Sequence, residues 1–251
     1  MAFEVAQALG VVLVRCTDLS SRHAFSTRLG GTSEAPFAGL NLGLSAGDAR
    51  DRVLSNRERF VAAAGFSGPI QVAHQVHGAE VHAAPVPQGA KGDVVITDRP
   101  ATPVGVFVAD CVPILMEDAR TGAVAAVHAG WRGTAQKAVM AAVEAMEARF
   151  GTRPEDLRAA IGPSIKGCCY RVGPEVVAAL AHLSAPGAVV RREGEATFVD
   201  LQEANRQLLV SAGVAEVHVS GMCTHCASDL FFSYRRDGER SGRMLAVIER
   251  A

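Results

Sequence analysis

The stretch VAAVHAGWRG, residues 124–133, opens as a run of small apolar residues and closes on His128, Trp131 and Arg132. The apolar run predicts a strand that is covered on both faces. Residues 134–151 then place apolar side chains on one helical stripe and end in glycine, which predicts an amphipathic helix. A buried strand that leads into a helix, with polar side chains at the junction, is the starting point for both fold and site.

Similar patterns recur on both sides of this stretch. Apolar and β-branched runs predict strands at 11–17, 69–78, 79–86, 93–98, 103–118, 157–163, 216–221 and 243–249. Amphipathic spacing predicts helices at 51–65, 174–183 and 201–213. The mixture predicts an α/β fold, with an α+β type of central mixed sheet and flanking helices, in a single domain over residues 1–251.

The composition is that of a globular protein. Hydrophobic residues make up 49% of the chain, and the formal net charge is −1, so the sequence lacks the basic surface that nucleic acids require. No apolar run is long enough to span a bilayer, and the N-terminal segment lacks the basic leader of a secretory signal. We therefore expect a cytoplasmic protein without nucleic-acid or membrane partners, whose six cysteines are thiols or metal ligands.

Soft metal ligands occur at three predicted strand ends, namely His77 in QVHG, Cys111 in ADCVPIL and His128 in AAVHAG. Their spacing fits no local zinc-finger pattern, but neighbouring strand ends can meet at one point. Two imidazoles and a thiolate suit Zn²⁺, with Cu²⁺ as a competitor, and leave a fourth position for a water whose pKa falls to about 7. Asp110 would orient a ligand or accept a proton. Taken singly, each ligand is more simply explained as a core cysteine or a hydrogen-bonded histidine.

The segment HQVHGAEVH offers a choice among His74, His77 and His82. Strand periodicity would put His74 and His77 on opposite faces, and His77 precedes Gly78 at a predicted turn. We therefore assign His77 as the ligand. We expect His74 and His82 to be structural residues, or to contact the metal ligands without binding the metal themselves.

Four further cysteines occur in two motifs. Cys223 and Cys226 form a C-x-x-C motif in CTHC, and Cys168 and Cys169 are adjacent in GCCY. The first motif alone fits either a metal site or a redox pair, and the second motif would supply the missing ligands of a structural zinc site. Because no thioredoxin-like βαβ pattern surrounds Cys223, we favour a packed turn near the active cleft and leave a second metal site as the alternative.

Arginines and glycines mark four loops that suit an anion. These loops hold Arg28 in FSTRLGG, Asn41 in AGLNLGLSAGD, Arg132 in WRGT and Arg235 in SYRRDG. Guanidinium groups and helix N-termini bind phosphate or carboxylate, although none of these loops has a Walker or Rossmann pattern. Arg132 is the favoured candidate, because it follows a predicted ligand and precedes the predicted helix.

The order of these motifs resembles that of a known family. FSTRLGGTS, LNLGLSAGD, QVHG, ADCVPIL, AAVHAGWRGTA, AAIGPSIKGCCYRVG, CTHC and FFSYRRDGERSGR follow one another from about position 23 to 248. They resemble the laccase-domain family, also called the multicopper polyphenol oxidoreductase or YfiH-like family. The resemblance implies a single α/β domain similar to bacterial toxin deamidases with a Cys–His site. It also implies one metal, usually zinc, on His77, Cys111 and His128.

The resemblance further implies activity on purine nucleosides. Family members phosphorolyse adenosine, inosine and methylthioadenosine, and they deaminate adenosine. The implied partners are therefore a purine nucleoside and phosphate, and we expect a monomer or a weak homo-oligomer. Phosphate would be positioned by Arg28, Arg132 and Arg235, with Asn41 as a further substrate contact, and Asp110 would shuttle protons during deamination. The older multicopper label is discounted, because the chain has too few clustered histidines for such a centre.

Two other classes of function remain open from the sequence. One is a metal-independent cysteine hydrolase with Cys111 as nucleophile and His128 as base, and the resemblance implies a variant of it, an editing hydrolase of cell-wall precursors that uses the same two residues. The other is a metal-buffering or partner-binding protein without turnover. Metal analysis followed by a nucleoside panel distinguishes the three.

Overall fold

The computed structural model describes residues 2–183 and 186–250, which fold into three sheets flanked by helices. The strands are β1 (Phe3–Ala8), β2 (Val11–Cys16), β3 (Arg22–Ser26), β4 (Val81–Ala83), β5 (Val94–Thr97), β6 (Val104–Val108), β7 (Val112–Asp118), β8 (Val124–Ala129), β9 (Leu157–Ile161), β10 (Arg171–Val172), β11 (Val190–Glu193), β12 (Ala196–Val199), β13 (Glu216–Val219) and β14 (Met244–Glu249). The helices are α1 (Arg50–Ala64), α2 (Trp131–Ala135), α3 (Ala138–Phe150), α4 (Pro174–Ala179), α5 (Pro186–Val189), α6 (Leu201–Ser211) and α7 (Tyr234–Asp237). The prediction of one domain over 1–251 includes four positions outside the described residues and stays a prediction.

The three sheets differ in size and in strand direction. A five-stranded antiparallel sheet has the order β1-β2-β3-β14-β6, and a small antiparallel sheet has the order β10-β12-β11. The six-stranded sheet has the order β13-β9-β7-β8-β5-β4 and is mixed, because its two outer pairs are parallel and its inner pairs are antiparallel.

The two large sheets pack face to face, and helices cover their outer faces. In β7, Ile114 and Met116 contact the helical side of the six-stranded sheet, whereas Leu115 points to the five-stranded sheet. The outer face of the five-stranded sheet packs on α1 through Phe60. Each fully buried large apolar side chain of this kind stabilises the fold by about 1.5–3 kcal/mol. Burial on both faces explains why the central strands are apolar throughout.

Much of the predicted pattern is found, including the mixed α/β class, β2, β5, β7, β8, β9, β13 and β14, and helices α1 and α6. The predicted central mixed sheet is the six-stranded one, and a second large sheet, which the sequence did not predict, covers one of its faces. The predicted similarity to bacterial toxin deamidases stays a prediction. Among the described residues, no helix is long and apolar enough to cross a membrane.

Several predicted elements differ in detail. The run 103–118 is divided into β6 and β7, and the helix predicted at 174–183 ends at Ala179 as α4. Residues 69–78 form isolated bridges at Gln71 and His74 instead of a strand. There the side chain of Gln75 takes the place of strand pairing, since its amide hydrogen-bonds both the backbone N–H and the carbonyl of Phe107, at 2.7 and 2.8 Å. The helix predicted at 134–151 begins earlier as α2 and is interrupted by Lys137, whose φ of 59° breaks the helical hydrogen-bond ladder.

Candidate functional site

One edge of the six-stranded sheet brings Cys111 and His128 together. Strands β7 and β8 are antiparallel, and Val112, the first residue of β7, pairs with Ala129, the last residue of β8. Cys111 therefore lies immediately before β7, beside His128 near the end of β8. Cys111 lies in the short break between β6 and β7, and antiparallel pairing places the start of β7 next to the end of β8.

Asp93 organises this edge and was not found from the sequence. It immediately precedes β5, is buried, and accepts a hydrogen bond from Nδ1 of His128 at 2.7 Å. The same carboxylate accepts the backbone N–H groups of Val76, His77 and Gly78, at 3.1, 3.0 and 2.7 Å. His77 has a left-handed backbone with φ of 63°. One carboxylate thus fixes both the ring of one predicted ligand and the loop of another.

The structure brings the three predicted metal ligands to one point. The candidate ligand atoms of His77, Cys111 and His128 all lie within 4.8 Å of one another. The two imidazole rings meet edge to face, with 4.9 Å between their centroids. Since Asp93 binds Nδ1 of His128, Nε2 of that ring is left to face the centre. Two nitrogens and one sulfur in this arrangement fit Zn²⁺ or Cu²⁺ with one position open.

The same residues form a strongly polarised pair. Burial raises the pKa of the Cys111 thiol, but the charge and hydrogen bond of His128, and the contact with His77, outweigh burial and hold that pKa at about 6. Burial lowers the pKa of His128, and the opposing effects of the Cys111 thiolate and Asp93 raise it to about 9. Cys111 is therefore available as a thiolate, which is the form that binds metals.

The carboxylate of Asp110 contacts the segment 224–235. The sequence assigns it to a ligand-orienting or proton-accepting role. In the structure its carboxylate accepts hydrogen bonds from the hydroxyls of Thr224 and Ser233, at 2.6 and 3.0 Å, and from the backbone N–H of Arg235 at 2.6 Å. Asp110 thereby fastens the turn that carries Cys111 to a distant segment of the chain.

A cavity of about 660 Å³ lies over the three predicted ligands. Its volume is in the range of small-molecule sites. Its wall includes His74, Gln75 and Tyr234 together with two arginines, Arg57 and Arg243. His74 therefore borders the cavity, whereas His82 hydrogen-bonds the carbonyl of Lys91 through Nε2 at 2.8 Å.

The two arginines of the cavity wall were not found from the sequence. Arg57 donates from Nε to the carbonyl of Leu42 at 2.9 Å, and its guanidinium lies over the Phe107 ring. Arg243 donates to the carbonyl of Ser241 at 2.7 Å. Burial lowers the pKa of both guanidinium groups, which remain charged at neutral pH. Both are fixed positive charges with donors left for a ligand.

The three arginines predicted to bind an anion do not lie in the wall of this cavity. Arg28 donates to the carbonyls of Ser228 and Ala38, at 3.0 and 3.3 Å. Arg132 is exposed and stacks over Trp131, and Arg235 stacks over Tyr170. These three arginines do not line the cavity.

Asn41 supports the cavity from behind. It is fully buried, and its Oδ1 accepts the backbone N–H groups of Gly43 and Arg243, at 3.1 and 2.8 Å. Its amide donates to Asp48 at 2.9 Å. A Cβ at position 43 would lie 2.6 Å from the Arg243 side chain, so glycine is required for this contact. Asn41 thus holds a wall residue in place instead of lining the wall itself.

The remaining cysteine motifs form a second cluster. The sulfurs of Cys168, Cys169, Cys223 and Cys226 lie within 4.8 Å of one another. Cys226 is 3.7 Å from Cys168 and 3.3 Å from Cys169, measured between the sulfurs. Two turns that are far apart in the sequence therefore meet through four thiols.

Comparison with known proteins identifies relatives along almost the whole chain. The family model described as multi-copper polyphenol oxidoreductase laccase matches residues 22–251. The purine nucleoside phosphorylase of Deinococcus radiodurans is 43% identical over 96% of this chain and 94% of its own length. The purine nucleoside phosphorylase YlmD of Geobacillus stearothermophilus is 38% identical over 90% of this chain and 88% of its own length.

The solved structures agree with these matches. The crystal structure of YlmD from Geobacillus stearothermophilus has a TM-score of 0.91 and 36% identity, and covers 99% of this chain and 98% of that one. The crystal structure of a Bacillus licheniformis hypothetical protein YfiH has a TM-score of 0.89 and 32% identity, over 98% and 99% of the two chains. Both curated relatives are named purine nucleoside phosphorylases, and neither name refers to a cysteine hydrolase or to cell-wall editing.

Proposed function

The chain belongs to the multi-copper polyphenol oxidoreductase laccase family, and we propose that it is a purine nucleoside phosphorylase that also deaminates adenosine. Its proposed nucleoside substrates are adenosine, inosine and methylthioadenosine. The observation that carries the proposal is the convergence of His77, Cys111 and His128 under a cavity whose wall holds two arginines. The proposed enzyme works in the cytoplasm, as a monomer or weak homo-oligomer.

The proposed resident metal is zinc, with copper as a competitor. His77, Cys111 and His128 would hold it, and the Asp93 carboxylate keeps the His128 ring in the orientation that binding needs. When bound, such an ion supplies Lewis-acid polarisation and makes water a stronger nucleophile. Asp110 acts as a positioning residue, because its carboxylate holds the Cys111 turn against the 224–235 segment.

Arg57 and Arg243 are proposed to bind the phosphate. Both guanidinium groups border the cavity and are held by backbone carbonyls, so they are positioned before the ligand arrives. Charged donors of this kind bind phosphate oxygens strongly. This assignment replaces the one to Arg28, Arg132 and Arg235, whose guanidinium groups stack or hydrogen-bond away from the cavity wall.

The arrangement suits phosphorolysis by orienting two substrates. In that reaction a phosphate oxygen bonds to the anomeric carbon of the ribose, the bond from that carbon to the purine nitrogen breaks, and the purine leaves and takes up a proton. The cavity volume accommodates a nucleoside with phosphate beside it. In deamination, water adds to the purine carbon and ammonia leaves, so phosphate is not consumed.

The test is a product assay with and without phosphate. Ribose 1-phosphate and free purine should form from inosine only when phosphate is present, whereas inosine should form from adenosine in its absence. Cys111→Ala should lose both activities and the metal of this site. Full turnover by a Cys111→Ala protein without that metal would contradict the proposal.

A further inference from the structure

We propose that Cys168, Cys169, Cys223 and Cys226 form a second metal site, which binds one structural Zn²⁺ through four thiolates. The site is separate from the centre of His77, Cys111 and His128, and it has a different task. The sequence alone favoured a packed turn here. The positions of the four sulfurs reverse that preference.

The sulfur distances agree with tetrahedral coordination. A zinc–sulfur bond of about 2.3 Å requires neighbouring sulfurs about 3.8 Å apart in a regular tetrahedron. The Cys168–Cys226 distance is 3.7 Å, the Cys169–Cys226 distance is 3.3 Å, and all four sulfurs lie within 4.8 Å of one another. A disulfide would need about 2.05 Å between two of them, with two other thiols left unused. The four sulfurs are therefore close enough together to ligate one zinc ion.

The backbone around the sulfurs has the form of two facing turns. In one turn, the backbone N–H groups of Cys169 and Tyr170 both donate to the carbonyl of Lys166, at 2.9 and 2.8 Å. In the other, the N–H of Ala227 donates to the carbonyl of Cys223 at 3.0 Å. This second turn closes the C-x-x-C motif, whose spacing is usual in structural zinc sites.

The two turns are held in register independently of the sulfurs. Ser164 and Cys223 form a parallel bridge, and the backbone N–H of Thr224 donates to the carbonyl of Ser164 at 3.1 Å. Cys169 and Cys223 are thus placed by backbone contacts that need no ion, which lowers the cost of ordering the chain on binding.

Two arginines contact the turns of the cluster. Four thiolates around Zn²⁺ carry a net charge of about −2, which the protein has to balance. Arg236 donates to the carbonyls of Thr224 and His225 in one turn, and Arg191 donates to the carbonyl of Gly167 beside the other. These guanidinium groups lie against the backbone of the ligand-bearing turns. Each is also paired with an acidic side chain, Arg236 with Asp237 and Arg191 with Glu193, so they oppose the negative charge of the cluster in part.

The site would stabilise the active centre from a distance. Thr224, within the C-x-x-C turn, donates its hydroxyl to Asp110, the neighbour of Cys111. An ion that joins the two turns therefore fixes one of the three donors that hold the Cys111 turn. With four protein ligands it has no open position, so its role is structural and not chemical.

Metal content tests the proposal without any assay of turnover. The full-length chain is produced with added zinc, dialysed, and analysed by inductively coupled plasma mass spectrometry against amino-acid analysis. We expect about two zinc ions per chain in the wild type and about one in Cys226→Ala and in Cys111→Ala. His225→Ala is the matched control, since it changes a non-ligand of the same turn, and it should keep about two. Cys168→Ser serves as a second variant if Cys226→Ala does not fold.

Cobalt substitution identifies the ligands. Thiolate-to-cobalt charge-transfer absorption grows with the number of cobalt–sulfur bonds, so Cys111→Ala should keep about four fifths of the wild-type band. Cys226→Ala should lose most of it. Equal metal content in wild type and Cys226→Ala would overturn the proposal, as would a Cys169–Cys226 disulfide in freshly isolated protein. Neither result depends on the proposed function.

Discussion

The molecule has two clusters of soft ligands, and they differ in number of ligands and in surroundings. The His77–Cys111–His128 centre has three ligands, lies at the edge of a buried sheet, and opens into a cavity of about 660 Å³. The four-cysteine cluster has four sulfurs and joins two turns near the surface. Three ligands beside an open cavity suit a catalytic metal site, whereas four protein ligands suit a structural metal site. Similar residue types thus acquire different roles from the backbone that presents them.

The largest expected effect separates the two clusters directly. Cys111→Ala should reduce kcat/KM for phosphorolysis by about 10³-fold or more, because several kcal/mol of transition-state stabilisation disappear with the ligand. Cys168→Ser, at an exposed position in the other cluster, should keep most of the activity and lose thermal stability. Steady-state kinetics and calorimetry on both variants make the comparison. The reverse pattern would exchange the proposed roles.

Asp93→Asn should have the next largest effect. The amide presents a donor or an acceptor to His128, and it holds the 76–78 backbone less well than the carboxylate does. We expect metal affinity or activity to fall by about 10–100-fold. Affinity is measured by competition with a chromogenic chelator. Asp98→Asn, at an exposed position that follows the other end of β5, is the control and should not change it.

Arginine substitutions test which charges bind phosphate. Arg57→Gln or Arg243→Gln should raise KM for phosphate by about tenfold or more, since a charged hydrogen bond contributes about 1.5–3 kcal/mol. Arg28→Gln should leave that KM unchanged, because Arg28 donates to two backbone carbonyls away from the cavity. Initial rates at varied phosphate give the answer. A raised KM for Arg28→Gln alone would restore the assignment made from the sequence.

The smallest effect concerns the link between the two clusters. Thr224→Val keeps the shape of the side chain and removes the hydroxyl that Asp110 accepts at 2.6 Å. Because the buried Asp110 carboxylate loses a hydrogen-bond donor, we expect the free energy of unfolding to fall by about 1–3 kcal/mol. We expect the activity to fall only a few-fold. Urea unfolding measures the first effect. Thr17→Val, at an exposed position, should change neither quantity, and an unchanged Thr224→Val would show that the link carries no energy.

The apolar runs made the central strands predictable, but not what covers them. Ile114 and Leu115 point to opposite faces, and both faces are buried, which the sequence shows as a continuous run. A helix and a second sheet are equally good covers for such a run. The sequence therefore predicts the strands and leaves the number of sheets open.

The candidate site was predictable for residues whose type alone suggests metal binding. It was not predictable for residues whose role depends only on their surroundings in the fold. His77, Cys111 and His128 are soft ligands beside glycine and proline, so their residue types alone suggested a metal. Asp93 precedes a strand in the manner of many loop residues, and its role depends on pairing between β5 and β8 that has no local signature. The sequence did contain a signal for Arg57, because this charged residue interrupts the apolar stripe of α1.

The double role of Asp93 has a consequence for redesign. Because one carboxylate orients His128 and also holds the loop of His77, the two histidines cannot be moved independently. An attempt to change the metal preference by varying position 93 would disturb two ligands at once. Cys111 depends on no atom of that carboxylate in the hydrogen bonds described, so selectivity is best engineered at the sulfur while the acid is kept fixed.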